Sequence, residues 1–453
     1  MRIGIASTLT SAALVLVLAG PASADVKSVT MKYGPIDIGP YQALRSSTYV
    51  PTPELDGFVT EMDAHVIDAE TGQEIPQYQV MLHHVAFTDE ARRDGSCPRK
   101  NIGERFYGTS EELRRMTLPA GYGYRIGARD KWRMIWMLMN HLKTDGKVFI
   151  EYHVTVDTSP SLTPVRPYWI SVVPCVNDPQ YSVPGGATAG ATSSRKVTWS
   201  VPVSGRIVAM GGHLHGGSRS LTLTQPRCGH RVLHNALPTY APPGDPLYTV
   251  VPLLHEPDPV NVSWWQSATG WNVQKGEMLR LSANYDGHRP HMRVMGIMHV
   301  YIAEDEGVGA SACGAKPADA EVLGGSAVAG GRLAPPSVVV PFEAAGRDGV
   351  ARPISRSPGA LRRYDGDANV TVADFRYSVA NLSVPRGATV RWHFRDSAAH
   401  DATLVNGPRG FGTPTVRKGH VESQRFTVPG VYRIYCSIHP VYMSQVVRVR
   451  SKR

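Results

Sequence analysis

Met210-Gly-Gly-His-Leu-His-Gly-Gly217 decides how the rest of this 453-residue chain is read. Side chains alternate faces along a β-strand, so His213 and His215 project the same way and can hold one metal between them. The flanking glycines remove bulk where a ligand or a neighbouring segment has to come close. An H-x-H pair is a weak signal alone. Here it gains weight from His83-His84 and His141 upstream, Met295 downstream, and a denser Cys/His/Met group near the C-terminus.

Composition supports the strand reading. Glycine (44) and proline (35) are abundant and long helical periodicity is missing, which favours β-rich domains with many turns. The length suits roughly two to four domains. The formal net charge is +10, but Lys and Arg are dispersed and form no block, so the charge reads as a solvated surface and nucleic acid is excluded as a partner.

The N-terminus reads as a secretory signal. Arg2 is the basic region, Ala12 to Leu18 the short apolar region, and Ala22-Ser-Ala24 the cleavage site, with Asp25 as mature start. That apolar run is too short to span a bilayer, and no later segment reads as membrane-inserted. The expected location is secreted or extracytoplasmic, in the cell envelope. The five cysteines fit an oxidising compartment. Cys436 is the special thiol; Cys97, Cys175, Cys228 and Cys313 allow three pairings, and spacing does not choose among them.

Along the chain, residues 25–50 read as a lead-in. Alternating runs then begin at Gly57 and Gln77, residues 89–105 read as loop, and Thr109 to Met116 as a short helix. Trp132 to His141 is a strongly apolar strand ending in histidine, and its Met134/Met137/Met139 run reads as core packing. Residues 176–195 mark a boundary, followed by a second β unit. Residues 306–365, rich in Ala, Gly and Pro, read as a linker in which Val338-Val-Val340 could dock. A compact pattern of short strands fills the remainder. The expected fold is all-β: residues 1–24 signal, 25–175 and 176–305 two tandem jelly-roll-like sandwiches, 306–365 linker, and 366–453 a Greek-key sandwich.

The most specific motif is Tyr435-Cys-Ser-Ile-His-Pro-Val-Tyr-Met443, a C-x2-H-x3-M on a loop after a strand, with His400 upstream. Two imidazoles, a thiolate and a thioether make a blue-copper electron-transfer set. Residues 366–450 resemble the cupredoxins, of which plastocyanin and amicyanin are members, and the resemblance implies His400, Cys436, His439 and Met443 as ligands.

Residues 57–303 resemble the copper type II, ascorbate-dependent monooxygenases, the family of peptidylglycine alpha-hydroxylating and dopamine beta-monooxygenases. Shared features are an HH pair on an early strand, a His ending a later strand, an H-x-H in the second half, and a Met before the last strand. Carried over, His83, His84 and His141 form one copper site, and His213, His215 and Met295 the other. Met295 is preferred over Met292, Met298 and His291 because it precedes Gly296 and the terminal strand. His83 and His84 are neighbours that would face opposite sides of a regular strand, so sharing one metal requires a twist or bulge. His65, His153, His255, His288, His393 and His420 read as surface or hydrogen-bonded core residues.

The resemblance implies about three coppers, one blue type 1 and two type 2. O2, ascorbate or another small reductant, a redox partner and a small-molecule or peptide substrate complete the expected set. Where the peptide-amidating member holds its substrate's carboxylate, this chain has Gly211, Ile297 and His299, so a glycine-extended peptide is not the expected substrate. The expected activity is copper-dependent hydroxylation of a C–H bond at His213, His215 and Met295, with the blue-copper domain supplying electrons. The competing class is a non-catalytic copper-binding or electron-transfer protein on the same scaffold.

Overall fold

The computed structural model describes residues 25–112, 115–176, 178–242, 244–248, 256–309, 313, 316–324, 343–345, 351–353, 359–440 and 443–451. The signal segment, His255 and Val338–Val340 lie outside them. The described chain is all-β, with two short 3-10 turns and no α-helix. No helix among the described residues is long and apolar enough to cross a membrane.

Strict alternation builds the first sandwich. In Gly146–Asp157, Val148, Ile150, Tyr152, Val154 and Val156 point inward and are fully buried, while Glu151 and His153 point outward. This strand pairs with Val26–Ile38 on one side and Gly57–Asp68 on the other. A four-stranded sheet packs over them in the order Ala43–Val50, Trp132–Asn140, Val80–Arg93, Gly103–Ser110. Residues 25–50 are therefore two strands rather than a lead-in; Val26–Ile38 keeps so much polar surface outward that its alternation is faint. The expected helix at Thr109 to Met116 and the loop over 89–105 also give way. Val80–Arg93 runs on to Arg93, Gly103–Ser110 pairs with it as far as His84, and Ser110 Oγ–H donates to the His83 carbonyl.

The second sandwich packs the order Thr192–Ser200, Met278–Asp286, Ser218–Gln225, Arg231–Ala236 against Gly205–Leu214, Gly296–Glu304 and Trp264–Val273. The two sandwiches share one ten-stranded sheet. Thr163–Ser171 joins them, pairing parallel with Tyr122–Ile126 and antiparallel with Gly296–Glu304. The halves are thus held by backbone hydrogen bonds, and Tyr301 of the second donates its hydroxyl to the Phe106 carbonyl of the first.

Part of the linker region is also ordered. Glu321–Leu323 adds to the edge strand Trp264–Val273, and the Asp319 carboxylate accepts from the Ser267 and Thr269 hydroxyls and from two backbone amides. The C-terminal sandwich stacks a five-stranded sheet, with Asn381–Pro385, Ser444–Arg450 and Gly430–Tyr435 at its centre, on a four-stranded one. Trp392 fills its core and donates its indole N–H to Gln445.

The disulfides are Cys97–Cys175 and Cys228–Cys313, and Cys436 is a buried thiol. Cys97–Cys175 closes a sequence separation of 78 residues and ties the turn after Val80–Arg93 to the segment following Thr163–Ser171. Replacing both cysteines by serine should cost about 2–4 kcal/mol of stability, measured by denaturant unfolding, because the unfolded chain regains that loop's freedom.

Candidate metal centres

His213 lies near the end of Gly205–Leu214, and His215 follows it. Their Nε2 atoms face one another at 3.2 Å. Each Nδ1 is held from behind: His213 Nδ1 lies 3.2 Å from Glu112 Oε1, and His215 Nδ1 lies 3.0 Å from Asp258 Oδ2. Both carboxylates are buried. A carboxylate keeps the proton on Nδ1 and leaves the Nε2 lone pair for a metal. Two lone pairs aimed at each other repel, and a cation between them removes that conflict, so the residues fit a metal ion.

The backbone is shaped for this arrangement. Gly217 has φ +79°, and a Cβ there would run into the His291 imidazole; a Cβ on Gly216 would sit 2.6 Å from Glu256 Cγ. His291 is itself buried and pairs through Nδ1 with Glu256 Oε2 at 2.7 Å.

Met295, buried, sits between the strands His291–Val294 and Gly296–Glu304. Leu214 pairs with Gly296, so the next step of the register sets Met295 opposite His215. Tyr285 joins the two: its hydroxyl accepts from the His215 N–H at 3.0 Å and donates to the Met295 carbonyl. Burial holds the Tyr285 hydroxyl far above its ordinary range, so it stays a donor. Met292 points instead into the C-terminal sandwich, and Met298 is fully buried in the core of the second sandwich.

In the first sandwich the register with Trp132–Asn140 shifts between Leu82 and His84, so His83 occupies a bulge. The bulge turns both imidazoles to one side, and their Nδ1 atoms approach to 3.1 Å. Burial, with His213 and His215 adding to it, pushes the His84 imidazole down to about 3, which keeps it neutral and able to ligate. His141 is buried just beyond Trp132–Asn140, opposite Gln79. The donor atoms of His83, His84 and His141 do not all lie within 4.8 Å of one another. The His83 ring centroid, by contrast, is 5.6 Å from that of His215, so the two histidine groups adjoin directly.

In the C-terminal sandwich, His400, Cys436 and His439 bring their donor atoms within 4.8 Å. Cys436 Sγ lies 3.6 Å from His439 Nδ1 and 4.0 Å from His400 Nδ1. Asp396 fixes His400 through Nε2 at 2.9 Å, leaving Nδ1 inward. Met443 is buried, and the loop closes through Cys436 N–H to Met443 O and Met443 N–H to His439 O, both 3.1 Å. Burial first, then the Asp401 carboxylate, pushes the Cys436 thiol up to about 12, so a bound cation is needed to hold it as thiolate.

This sandwich is docked on the strand His291–Val294. Asp401, fully buried, accepts from the Ser437 N–H and hydroxyl at 3.0 and 2.6 Å, and faces Arg293 Nη1 at 3.4 Å. The Gly410 N–H donates to the Pro184 carbonyl at 2.8 Å. A cavity of about 200 Å³ lies where the three sandwiches meet, lined among others by His83, His215, Met137, Arg293, Tyr435 and Ser437. Sequence reading did not single out Glu112, Asp258, Tyr285 or Arg293, and it gave Met137 to the core. Only the parity of the strands could have flagged Met137.

No family model matches the chain. The protein named "Probable copper-dependent oxygenase clz3", from Cochliobolus lunatus, is 26% identical over 257 residues, covering 52% of this chain and 74% of its own length. "Probable copper-dependent oxygenase M1", from Phoma sp. (strain ATCC 20986 / MF5453), is 26% identical over 230 residues, 48% of this chain and 52% of its own. The chain is thus similar over about half its length to proteins named as probable copper-dependent oxygenases. Copper is the metal that this relationship supports for the sites. Among solved structures, an oxidized and a reduced mutant of amicyanin match at 30% and 31% identity over 19% of this chain and 85% and 83% of theirs, with a TM-score of 0.18.

Glu112→Gln and Asp258→Asn should each weaken copper binding at the His213–His215 pair by about 10–100-fold, read by chelator competition, while the blue absorption of the C-terminal site is unchanged.

Proposed function

We propose that this is an exported copper-dependent monooxygenase-like protein that hydroxylates a C–H bond with O2, with the C-terminal blue-copper domain supplying electrons. The observation that carries the reading is the convergence of His213 Nε2 and His215 Nε2, backed by buried carboxylates, with His215 lining a cavity shared with His83. Copper held there would supply O2 binding and one-electron chemistry. The overall balance takes the substrate C–H, O2, two electrons and two protons to an alcohol and water.

The chain's own residues do the positioning. Glu112 and Asp258 hold the imidazole tautomers, and Tyr285 ties the His215 backbone to that of Met295. Met137, Met139 and Leu404 give the cavity apolar wall, while Glu256, Arg289, Arg293 and Asn406 add polar and charged groups, which suits a small substrate with an apolar part and a polar end.

Electron supply rests on the docking. Ser437, next to ligand Cys436, and Asp401, next to ligand His400, meet at one buried carboxylate that faces Arg293, two residues before Met295. The blue-copper group therefore stands one ion pair from the Met295 segment.

Copper-loaded protein reduced with ascorbate should consume O2 in the presence of a turnover substrate. His213→Ala and Met295→Ala should abolish uptake, and Cys436→Ser should keep it when a small reductant is in excess. Arg293→Ala should slow re-oxidation of the pre-reduced blue site without removing its absorption. Uptake that survives loss of His213 would contradict the assignment.

A further inference from the structure

The outward face of the first sandwich carries a second motif that the copper groups do not absorb. Asp63-Ala-His65 lies on Gly57–Asp68, and Glu151-Tyr-His153 on Gly146–Asp157. In each tripeptide the two polar residues are i and i+2, so both face outward while Ala64 and Tyr152 face the core. The strands are antiparallel neighbours with Asp63 opposite His153 and His65 opposite Glu151. Two carboxylates and two imidazoles thus occupy alternating corners of one cross-strand square.

The side chains turn toward its centre. His153 Nδ1 lies 2.8 Å from Asp63 Oδ1, and His65 Nδ1 lies 3.9 Å from the same oxygen. His65 Nε2 and His153 Nε2 lie 3.2 and 3.4 Å from Glu151 Oε1. Donor atoms of Asp63, His65 and His153 all fall within 4.8 Å of one another. Each carboxylate gives its inner oxygen to the imidazoles and its outer one to a cation: Asp63 Oδ2 to Arg115 at 3.0 Å, Glu151 Oε2 to Lys32 at 2.9 Å. These outer partners orient the carboxylates in the way second-layer groups orient metal ligands. Glu151 stands on the Nε2 side of both rings and leaves each Nδ1 for a metal beside Asp63 Oδ1. Nitrogen and oxygen donors about 2.1 Å from a tetrahedral ion stand about 3.4 Å apart, and the 2.8 and 3.9 Å separations from Asp63 Oδ1 to the two Nδ1 atoms bracket that value.

We propose that Asp63, His65 and His153 form a metal site separate from the copper groups, with Glu151 holding both rings through Nε2, and that it takes a divalent ion of borderline softness. With two imidazoles and one carboxylate, Zn2+ and Cu2+ match the donors better than Mg2+ or Ca2+. The site needs no adjustment of the core, because its residues hang from two strands already in register.

Zn2+ tests this on the full chain after its copper sites are filled and excess copper is removed, beside the His65→Gln/His153→Gln double variant treated alike. Calorimetric titration, with elemental analysis of the same samples, should show the wild type taking up one Zn2+ per chain that the double variant does not, any copper given up being copper the wild type holds in excess of the double variant. His65→Gln or His153→Gln should weaken Zn2+ binding by about tenfold or more, with blue absorption unchanged as a check on folding. Zn2+ should raise the melting temperature of the wild type and leave that of the double variant where it was. No Zn2+ uptake by the wild type, equal uptake by the double variant, or release of copper that the double variant also loses would each overturn the proposal.

Discussion

Two imidazole nitrogens pointed at each other across 3.2 Å, with a buried carboxylate behind each ring, form the constraint on which the remaining architecture turns. The carboxylates come from different places. Glu112 follows the edge strand Gly103–Ser110 of the first sandwich, and Asp258 belongs to the second. Asp258 also donates its backbone N–H to Glu111 Oε2 at 3.0 Å and accepts from the Gly216 N–H at 2.7 Å. The site and the seam between the sandwiches are therefore one structure. Buried carboxylates are expensive unless paired, so this seam is stable only when the histidines stand where they do.

The same economy explains the shared sheet. If the halves were tethered by a loop alone, Glu112 would have to find His213 by diffusion. With Thr163–Ser171 bonded to strands of both halves, the two are held in register by the backbone. His83 then reaches within 5.6 Å of His215 between ring centroids, and the cavity has walls from all three sandwiches. Placing the C-terminal sandwich against His291–Val294 adds Leu404, Asn406, Tyr435 and Ser437 to the wall of that cavity.

What the sequence made legible follows from period and spacing. Strong alternation in Lys147 to Val156 and the strands around the H-x-H could be read directly, as could the C-x2-H-x3-M loop, because ligand chemistry and strand parity are local properties. Val26–Ile38 was missed because its outward face is polar along most of its length. Gly103–Ser110 was missed because Gly, Thr and Ser at its end look like a cap, whereas cross-strand pairing with Val80–Arg93 decides the outcome. Glu112, Asp258 and Tyr285 could not be found by spacing, since each meets its histidine or methionine only through tertiary contacts. Arg293 is a similar case: its partner Asp401 lies 108 positions away. Asp63, His65 and His153 have the appearance of ordinary surface residues until the register sets them side by side.

The central proposal is that copper is held by the His213–His215 pair and by the neighbouring His83–His84 pair, beside a blue site. Its most direct test is copper per chain on the oxidised protein, with electron paramagnetic resonance on the same sample, in a chain carrying His65→Gln and His153→Gln so that the outer cluster does not enter the count. The account predicts about three coppers, one with the narrow hyperfine splitting of a thiolate-bound site and two with nitrogen ligation. A single blue-type copper, with His83, His84, His213 and His215 leaving no further bound ion, would contradict it.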